Sequence, residues 1–309
     1  MPQPLVSIVT SVFNQAEYLE ATMLSVLAQD YPALDYIVID DGSTDPSLVV
    51  ARRVADAHPG RVTVLTQVNA GQAASLNRGW RSSRGDILAY LSSDDCLAPH
   101  AVSRMVEALQ SRPEVVVAYC DFDLIDNRGT AIRTVRTEDF DLRRLRVDLV
   151  CQPGPGAFFR RAVFERTGGW RAELRQVPDF EFWLRAAAHG TFLRVSEPLA
   201  QYRIHDRSAS FRAMPQARAE EICAVMRQYW QGQAGAEADL AMAKSLCIAA
   251  KNHAQAGRPW LGATRLFQAF RLAPRLLASA QSWRPFLFGL AFWCFGIVSV
   301  VRRFRRAQG

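Results

Sequence analysis

Five short runs of β-branched and aromatic apolar residues punctuate the first 125 residues: Val6–Val12, Tyr36–Ile39, Val62–Leu65, Ile87–Leu91 and Val115–Tyr119. Helical patterns separate them. Leu19, Met23, Val26 and Leu27 recur at helical spacing, then come Ser47–Ala57, Gln72–Arg81, and a stretch marked by Val102, Met105, Val106 and Leu109. Near-continuous apolar strands alternating with helices predict an α/β fold, a mostly parallel sheet with helices on both faces. Ligands of such sheets bind in the crevice beyond the carboxyl ends of the strands. Two acidic doublets, Asp40–Asp41 and Asp94–Asp95, follow strand-like runs and so fall on that edge. A helix cap would explain either one alone, for instance Asp95 as N-cap with Pro99 in the next first turn. Caps do not explain why both doublets end strands on one edge.

The chain of 309 residues is long enough for one large core plus an appendage. Cys96, Cys120, Cys151, Cys223, Cys247 and Cys294 are scattered with no CxxC pair, which argues for a reducing cytosol and against structural zinc or disulfides. The apolar run from Leu5 is short, is interrupted by polar residues and has no basic flank, so no signal peptide is expected. Net charge is +7, but from Leu240 onward two Lys and nine Arg meet no Asp or Glu, which leaves residues 1–239 at −4. An acidic front half is a poor nucleic-acid surface, and no nucleic-acid partner is expected. The all-basic tail suits an anionic membrane surface.

Residues 126–214 are mixed, with Gly and Pro clusters at Pro153–Gly156 and Gly168–Gly169. Beyond Pro215 the pattern is helical, broken at Gly232–Gly235 and Gly257–Pro259, and Ala249–Pro274 reads as one helical hairpin. Last comes Phe286–Val301, with Ser299 its one polar residue, closed by Arg302, Arg303, Arg305 and Arg306. A helix over that run measures about 24 Å, short of the ~30 Å hydrocarbon core, and a crossing would carry the arginines to the far side. A shallow or re-entrant segment at the inner face of the plasma membrane is therefore expected, with a buried protein-docked helix as the alternative.

Carboxylates at a strand-end crevice poor in basic residues suit a divalent cation, Mg²⁺ or Mn²⁺, that neutralises a diphosphate. No P-loop is present and no GxGxxG follows the first run. Asp40 or Asp41 could accept the N3–H of a pyrimidine base.

The blocks "VSIVTSVFNQAEYLEATMLSVLAQDYPALDYIVIDDGSTD" and "NAGQAASLNRGWRSSRGDILAYLSSDD" closely resemble family 2 glycosyltransferases of the inverting GT-A type. The likeness continues through "GAFFRRAVFERTGGW", "PDFEFWLRAAAHG" and "YRIHDRSAS", covering residues 5–211. It implies a Rossmann-like GT-A catalytic domain over 1–214, its nucleotide half 1–125 and its acceptor half 126–214. A helical appendage, 215–284, and the apolar basic-ended segment 285–309 follow. By position, the resemblance puts Thr10 and Asp41 on the nucleoside, with Asp41 on the base, and Asn69, Gly71 and Asn77 on the diphosphate side. Asp94 would face the ribose. Asp95 would hold the metal, as the last residue of the DxD-like Ser93-Asp94-Asp95, and His205 would ligate that metal or touch the diphosphate. Asp179 takes the place of the general base, although Pro178 stands where the family usually has an acid. That absence removes a like charge that could raise the base's pKa. Gly156 and Trp170 would line the acceptor side, with core filler the competing role for Trp170.

The implied activity is inverting transfer of one sugar from a nucleotide-diphosphate sugar, UDP or dTDP, to a glycan or lipid-linked acceptor in bacterial-type surface glycan assembly. A sugar-1-phosphate nucleotidyltransferase would need a Gly-rich loop with Arg and Lys after the first strand, and "SVFNQAEY" has neither. A non-catalytic nucleotide-binding relative would not need Asp41, Asp95, Asp179 and His205 together. Processive synthases carry a QxxRW block, which "RQYWQ" is not.

Overall fold

A computed structural model describes residues 3–205, 208 and 214–295. The chain divides into two compact units: residues 1–140, 152–173 and 178–203 form the first, and residues 141–151, 174–177 and 204–309 the second.

In the first unit, β1 (Val6–Val12), α1 (Ala16–Leu27), β2 (Leu34–Asp40), α2 (Ser47–Ala57), β3 (Val62–Thr66), α3 (Gln72–Ser82) and β4 (Ile87–Tyr90) alternate as expected. All seven residues of β1 are buried, which is the consequence of covering a parallel sheet on both faces. β1 pairs in parallel with β2 on one side (Val9 opposite Ile37) and β4 on the other (Val9 opposite Tyr90). Leu19, Met23 and Val26 form the buried stripe of α1 and join the core with Val6, Ile8, Val38 and Ala89.

The chain then departs from simple alternation. β5 (Cys96–Leu97) and α4 (Ala101–Ser111) are followed by β6 (Val115–Ile125) and β7 (Ala131–Val135). After α5 (Leu142–Arg146) of the second unit come β8 (Phe158–Arg160), α6 (Arg161–Thr167), α7 (Pro178–Ala186) and β9 (Thr191–Arg203). The strand order is β3-β2-β1-β4-β8-β6-β9-β5, with β7 paired to β6. β8 lies antiparallel between β4 and β6, while β6 and β9 run parallel. Asp95 is not the N-cap considered for it. Cys96 and Leu97 pair with Gln201 and Ala200 of β9, and the helix begins only at Ala101.

The second unit is helical: α8 (Gln216–Ala219), α9 (Glu221–Tyr229), α10 (Ala236–Gln255), α11 (Pro259–Leu272), a 3-10 turn at Pro274–Ala278, and α12 (Ala280–Phe295). The expected hairpin forms as α10 and α11. Gly257, at φ +74°, ends the first helix in the left-handed region, and Pro259 opens the second, where a missing N–H costs nothing. α12 covers the first ten residues of the apolar run Phe286–Val301, and the rest of that run lies outside the described residues. Phe286 lies against Gly262 of α11, and Gly289 against Lys251 and Ala254 of α10. No described helix is long and apolar enough to cross a membrane.

Candidate functional site

Because β2 and β4 flank β1 and run parallel to it, both acidic doublets emerge on one edge, on either side of the end of β1. The first doublet organises its surroundings. The backbone N–H of Asp41 bonds to Val12 O at 2.8 Å, extending the ladder beyond β2. Its carboxylate is 1% exposed and accepts from Gln67 Nε2 (2.7 Å), Ala70 N (2.9 Å) and Gly71 N (2.7 Å). Asn69 Nδ2 donates to the Asp41 carbonyl at 2.9 Å. Gly71 then begins α3 at φ +89°, a conformation that favours glycine. Asp41, Asn69 and Gly71 thus meet in one loop. Asp40 accepts from Ser43 N at 3.3 Å through Oδ2, while its buried Oδ1 has no hydrogen-bond partner among the described residues.

The second doublet is differently placed. Asp95 is 3% exposed, and the backbone N–H of Arg203 donates to its Oδ1 at 2.9 Å. Arg203 Nε donates to the Asp94 carbonyl at 2.8 Å, and its guanidinium lies 5.0 Å from the Tyr18 ring centroid. Burial, followed by the neighbouring charge of Asp94, holds the Asp95 carboxyl well above the usual carboxylate range despite that N–H and the Arg203 charge. Added positive charge would relieve this. The described residues contain no cluster of three or more metal-ligating side chains. One or two carboxylates suffice for Mg²⁺ or Mn²⁺ when substrate phosphate oxygens and water complete the shell, so the buried Asp95 carboxylate fits a metal that arrives with a diphosphate.

Thr10 of β1 is buried, and its hydroxyl and that of Tyr36 lie within hydrogen-bond distance at 3.1 Å. Phe13, which follows β1, is 46% exposed, and no sequence pattern singled it out. Asn77 is engaged through both halves of its amide, donating to Trp170 O at 2.5 Å and accepting from Trp170 N at 2.9 Å. Trp170 is buried, with ring centroids 4.8 Å from Tyr90 and 5.9 Å from Trp80. Gly156, at φ +75°, has Ala200 and Cys120 about it so closely that a Cβ would lie 3.0 Å from the Ala200 Cβ.

Asp179 is the second residue of α7 and is half-buried. In the same first turn Glu181 is buried and paired with Arg171 (3.0 Å) and Arg185 (2.7 Å). The segment leading into α7 is held by Glu221, whose carboxylate accepts from the N–H groups of Arg175 (2.7 Å), Gln176 (2.6 Å) and Val177 (2.8 Å). No motif flags Glu221. The donors it accepts from are backbone N–H groups more than forty positions away, which carry no side-chain signature. His205 lies in the second unit, buried, and its carbonyl accepts from Ser208 N at 3.1 Å.

The chain belongs to glycosyl transferase family 2, whose model matches residues 7–168, more than half of its length. It is 30% identical over 209 residues to an uncharacterized glycosyltransferase of Nostoc sp., a match spanning 65% of each chain. It is 31% identical over 205 residues to the O-antigen biosynthesis protein RfbC of Myxococcus xanthus, covering 65% of this chain and 16% of that one. Among solved structures, S. aureus TarS 1–349 in complex with UDP-GlcNAc has a TM-score of 0.67 at 15% identity, over 98% of this chain and 91% of that one. The mannosyltransferase PcManGT from Pyrobaculum calidifontis, in complex with GDP-Man and Mn²⁺, has a TM-score of 0.60 at 20% identity, over 99% and 84%. These likenesses establish the GT-A fold.

Proposed function

We propose that the protein transfers one sugar, with inversion, from a nucleotide-diphosphate sugar to an acceptor hydroxyl. The observation that carries this reading is the pair of acidic doublets flanking β1 on one sheet edge, one building a loop and the other holding a buried, under-neutralised carboxylate. Phe13 offers a face for the base, and the Asp41-anchored loop at Asn69–Gly71 presents backbone at the start of α3 on the diphosphate side. Asp94 faces the ribose. Asp95 would hold Mn²⁺ or Mg²⁺, which would supply positive charge to offset that of the leaving diphosphate. Asp179 takes the acceptor proton as that oxygen attacks the anomeric carbon opposite the diphosphate, so one carboxylate base is enough.

UDP or dTDP is the proposed donor nucleotide and a surface glycan or lipid-linked glycan the acceptor, with the protein at the inner face of the plasma membrane. The relatives support this reading by what they bind: TarS is seen with UDP-GlcNAc, and PcManGT with GDP-Man and Mn²⁺. The test is a thermal-shift and turnover screen of UDP-, dTDP- and GDP-sugars with and without Mn²⁺. A metal-dependent shift with one donor, followed by an anomerically inverted product in the NMR spectrum, is expected. A retained anomer would exclude the single-base mechanism.

A further inference from the structure

The second unit carries a helix with two apolar faces. On its inner face α11 buries Gly262, Leu266 and Ala269, and a Cβ on Gly262 would lie 2.8 Å from Ala250 O of α10. On its outer face Trp260 is 86% exposed and Phe267 63%. At 3.6 residues per turn, Trp260, Phe267 and Arg271 fall within roughly 40° of one another around the helix axis. The Arg271 guanidinium lies over the Phe267 ring, 6.0 Å from its centroid. Beside the start of the helix, exposed Trp293 of α12 lies against Gly257, where a Cβ would be 3.1 Å from the indole Nε1.

An exposed Trp and Phe need a partner whose surface is apolar and wet at once, since the ring body gains from burial and the indole N–H keeps a polar contact. Arginine sets the charge of this face, since Glu220 beside α11 is already paired with Arg265 at 2.6 Å. No Asp or Glu occurs from Leu240 to the end of the chain, and no described carboxylate pairs with Arg271 or Arg275. A protein groove would ordinarily supply mixed charges. Aromatic side chains interleaved with arginine, on the outer face of a helix firmly held by its inner face, match the headgroup region of an anionic bilayer. We infer that the outer face of α11 is an in-plane docking surface for anionic lipid, with Trp260 and Phe267 inserted among the headgroups and Arg271 and Arg275 on lipid phosphates. This places the contact on a helix outside the apolar run Phe286–Val301. It rests on the membrane-side placement proposed above, but not on the transfer chemistry.

Flotation of the full chain with phosphatidylglycerol-containing vesicles, and with pure phosphatidylcholine vesicles, tests it without turnover. The wild-type protein should float with the anionic vesicles and much less with the neutral ones. Trp260→Ser with Phe267→Ser should weaken anionic-vesicle binding at least about tenfold while leaving the melting temperature and donor thermal shift unchanged. Arg271→Glu with Arg275→Glu should abolish the preference for anionic lipid. Undiminished flotation of the aromatic double variant would place the lipid contact elsewhere and overturn the inference, leaving the membrane-side placement intact. No flotation of the wild-type protein would overturn both. A wild-type oligomer that the aromatic double variant dissociates would make this face a protein interface instead.

Discussion

Asp40–Asp41 and Asp94–Asp95 stand at matching places, each just beyond a strand that flanks β1, yet their electrostatic surroundings differ. Asp41 has N–H donors on both oxygens, from a side chain and from two consecutive backbone groups. Among the described residues Asp95 accepts one backbone N–H, from Arg203, and has the like charge of Asp94 beside it as well as the Arg203 charge. One carboxylate is engaged in holding the Asn69–Gly71 loop. The other is buried with its charge incompletely answered, a state that costs free energy until a cation is present. The same dipeptide therefore separates structure from chemistry, and substitution of each second acid should show opposite symptoms.

The largest effect is expected at Asp95. Asp95→Asn should abolish metal-dependent donor binding and lower transfer by about a thousandfold, the several kcal/mol that a metal contributes at developing phosphate charge. Its fold should not suffer. A carboxyl whose pKa is raised on folding disfavours the native state once pH exceeds its unfolded value, so removing it at neutral pH should leave the urea midpoint unchanged or higher. Calorimetry with a UDP-sugar, with and without Mn²⁺, is the check, and unchanged affinity and metal dependence would break the contrast between the doublets.

Asp179→Asn sharpens the contrast by separating donor binding from proton transfer. Transfer should fall at least about a hundredfold, the usual scale for a general base, while the donor thermal shift and its metal dependence persist. Loss of donor binding in this variant would place Asp179 with the doublets rather than on the acceptor side.

Asp41→Asn should show the reverse of Asp95→Asn. The amide has one acceptor oxygen where the carboxylate uses two, and it turns an NH₂ group toward an N–H donor. Loss of a charge-assisted bond and the clash with a donor should lower stability by about 2 kcal/mol in a urea melt. Donor affinity would fall as a consequence of the loosened Asn69–Gly71 loop. A variant with normal stability and no base selectivity would instead mean that Asp41 reads the base directly.

The parts of this contrast that sequence could show are those with local signals. The strands β1 to β4 are legible because their apolar runs are nearly unbroken, and the α10–α11 hairpin because Gly257 and Pro259 punctuate it. Facing is less legible. With all seven residues of β1 buried, alternation gives no sign of which side chains at its carboxyl end, Thr10 and Ser11 or Phe13 just beyond it, turn toward the crevice. Long-range pairing is not legible at all: β8 is the three-residue strand Phe158–Arg160, and its place between β4 and β6 depends on partners at Ile87–Ala89 and Val117–Ala118. Asp41 is legible as a candidate, but its work as a loop organiser depends on backbone N–H groups of Ala70 and Gly71, which every residue except proline carries.

A third buried acid, Asp121 on β6, supplies the reference for a carboxylate answered by full charge. It pairs with Arg194 at 2.8 Å and accepts from the N–H and hydroxyl of Thr137 at 2.9 and 2.7 Å. Burial pushes its carboxyl up, but the bonds from Arg194 and Thr137 outweigh that and hold it below the usual range. The sign is therefore opposite to that of Asp95. A pKa lowered on folding stabilises the native state above the unfolded value near pH 4, and that contribution is lost as pH falls through the folded value. Asp121→Asn should thus be less stable than wild type at pH 7, with about 1 kcal/mol of the deficit, the excess of a charged over a neutral hydrogen bond, vanishing between pH 5 and about pH 2. Urea melts of both proteins across that range are the measurement. If the deficit stays constant, the carboxylate charge is not what Arg194 answers, and Asp121 no longer serves as the paired counterpart to Asp95.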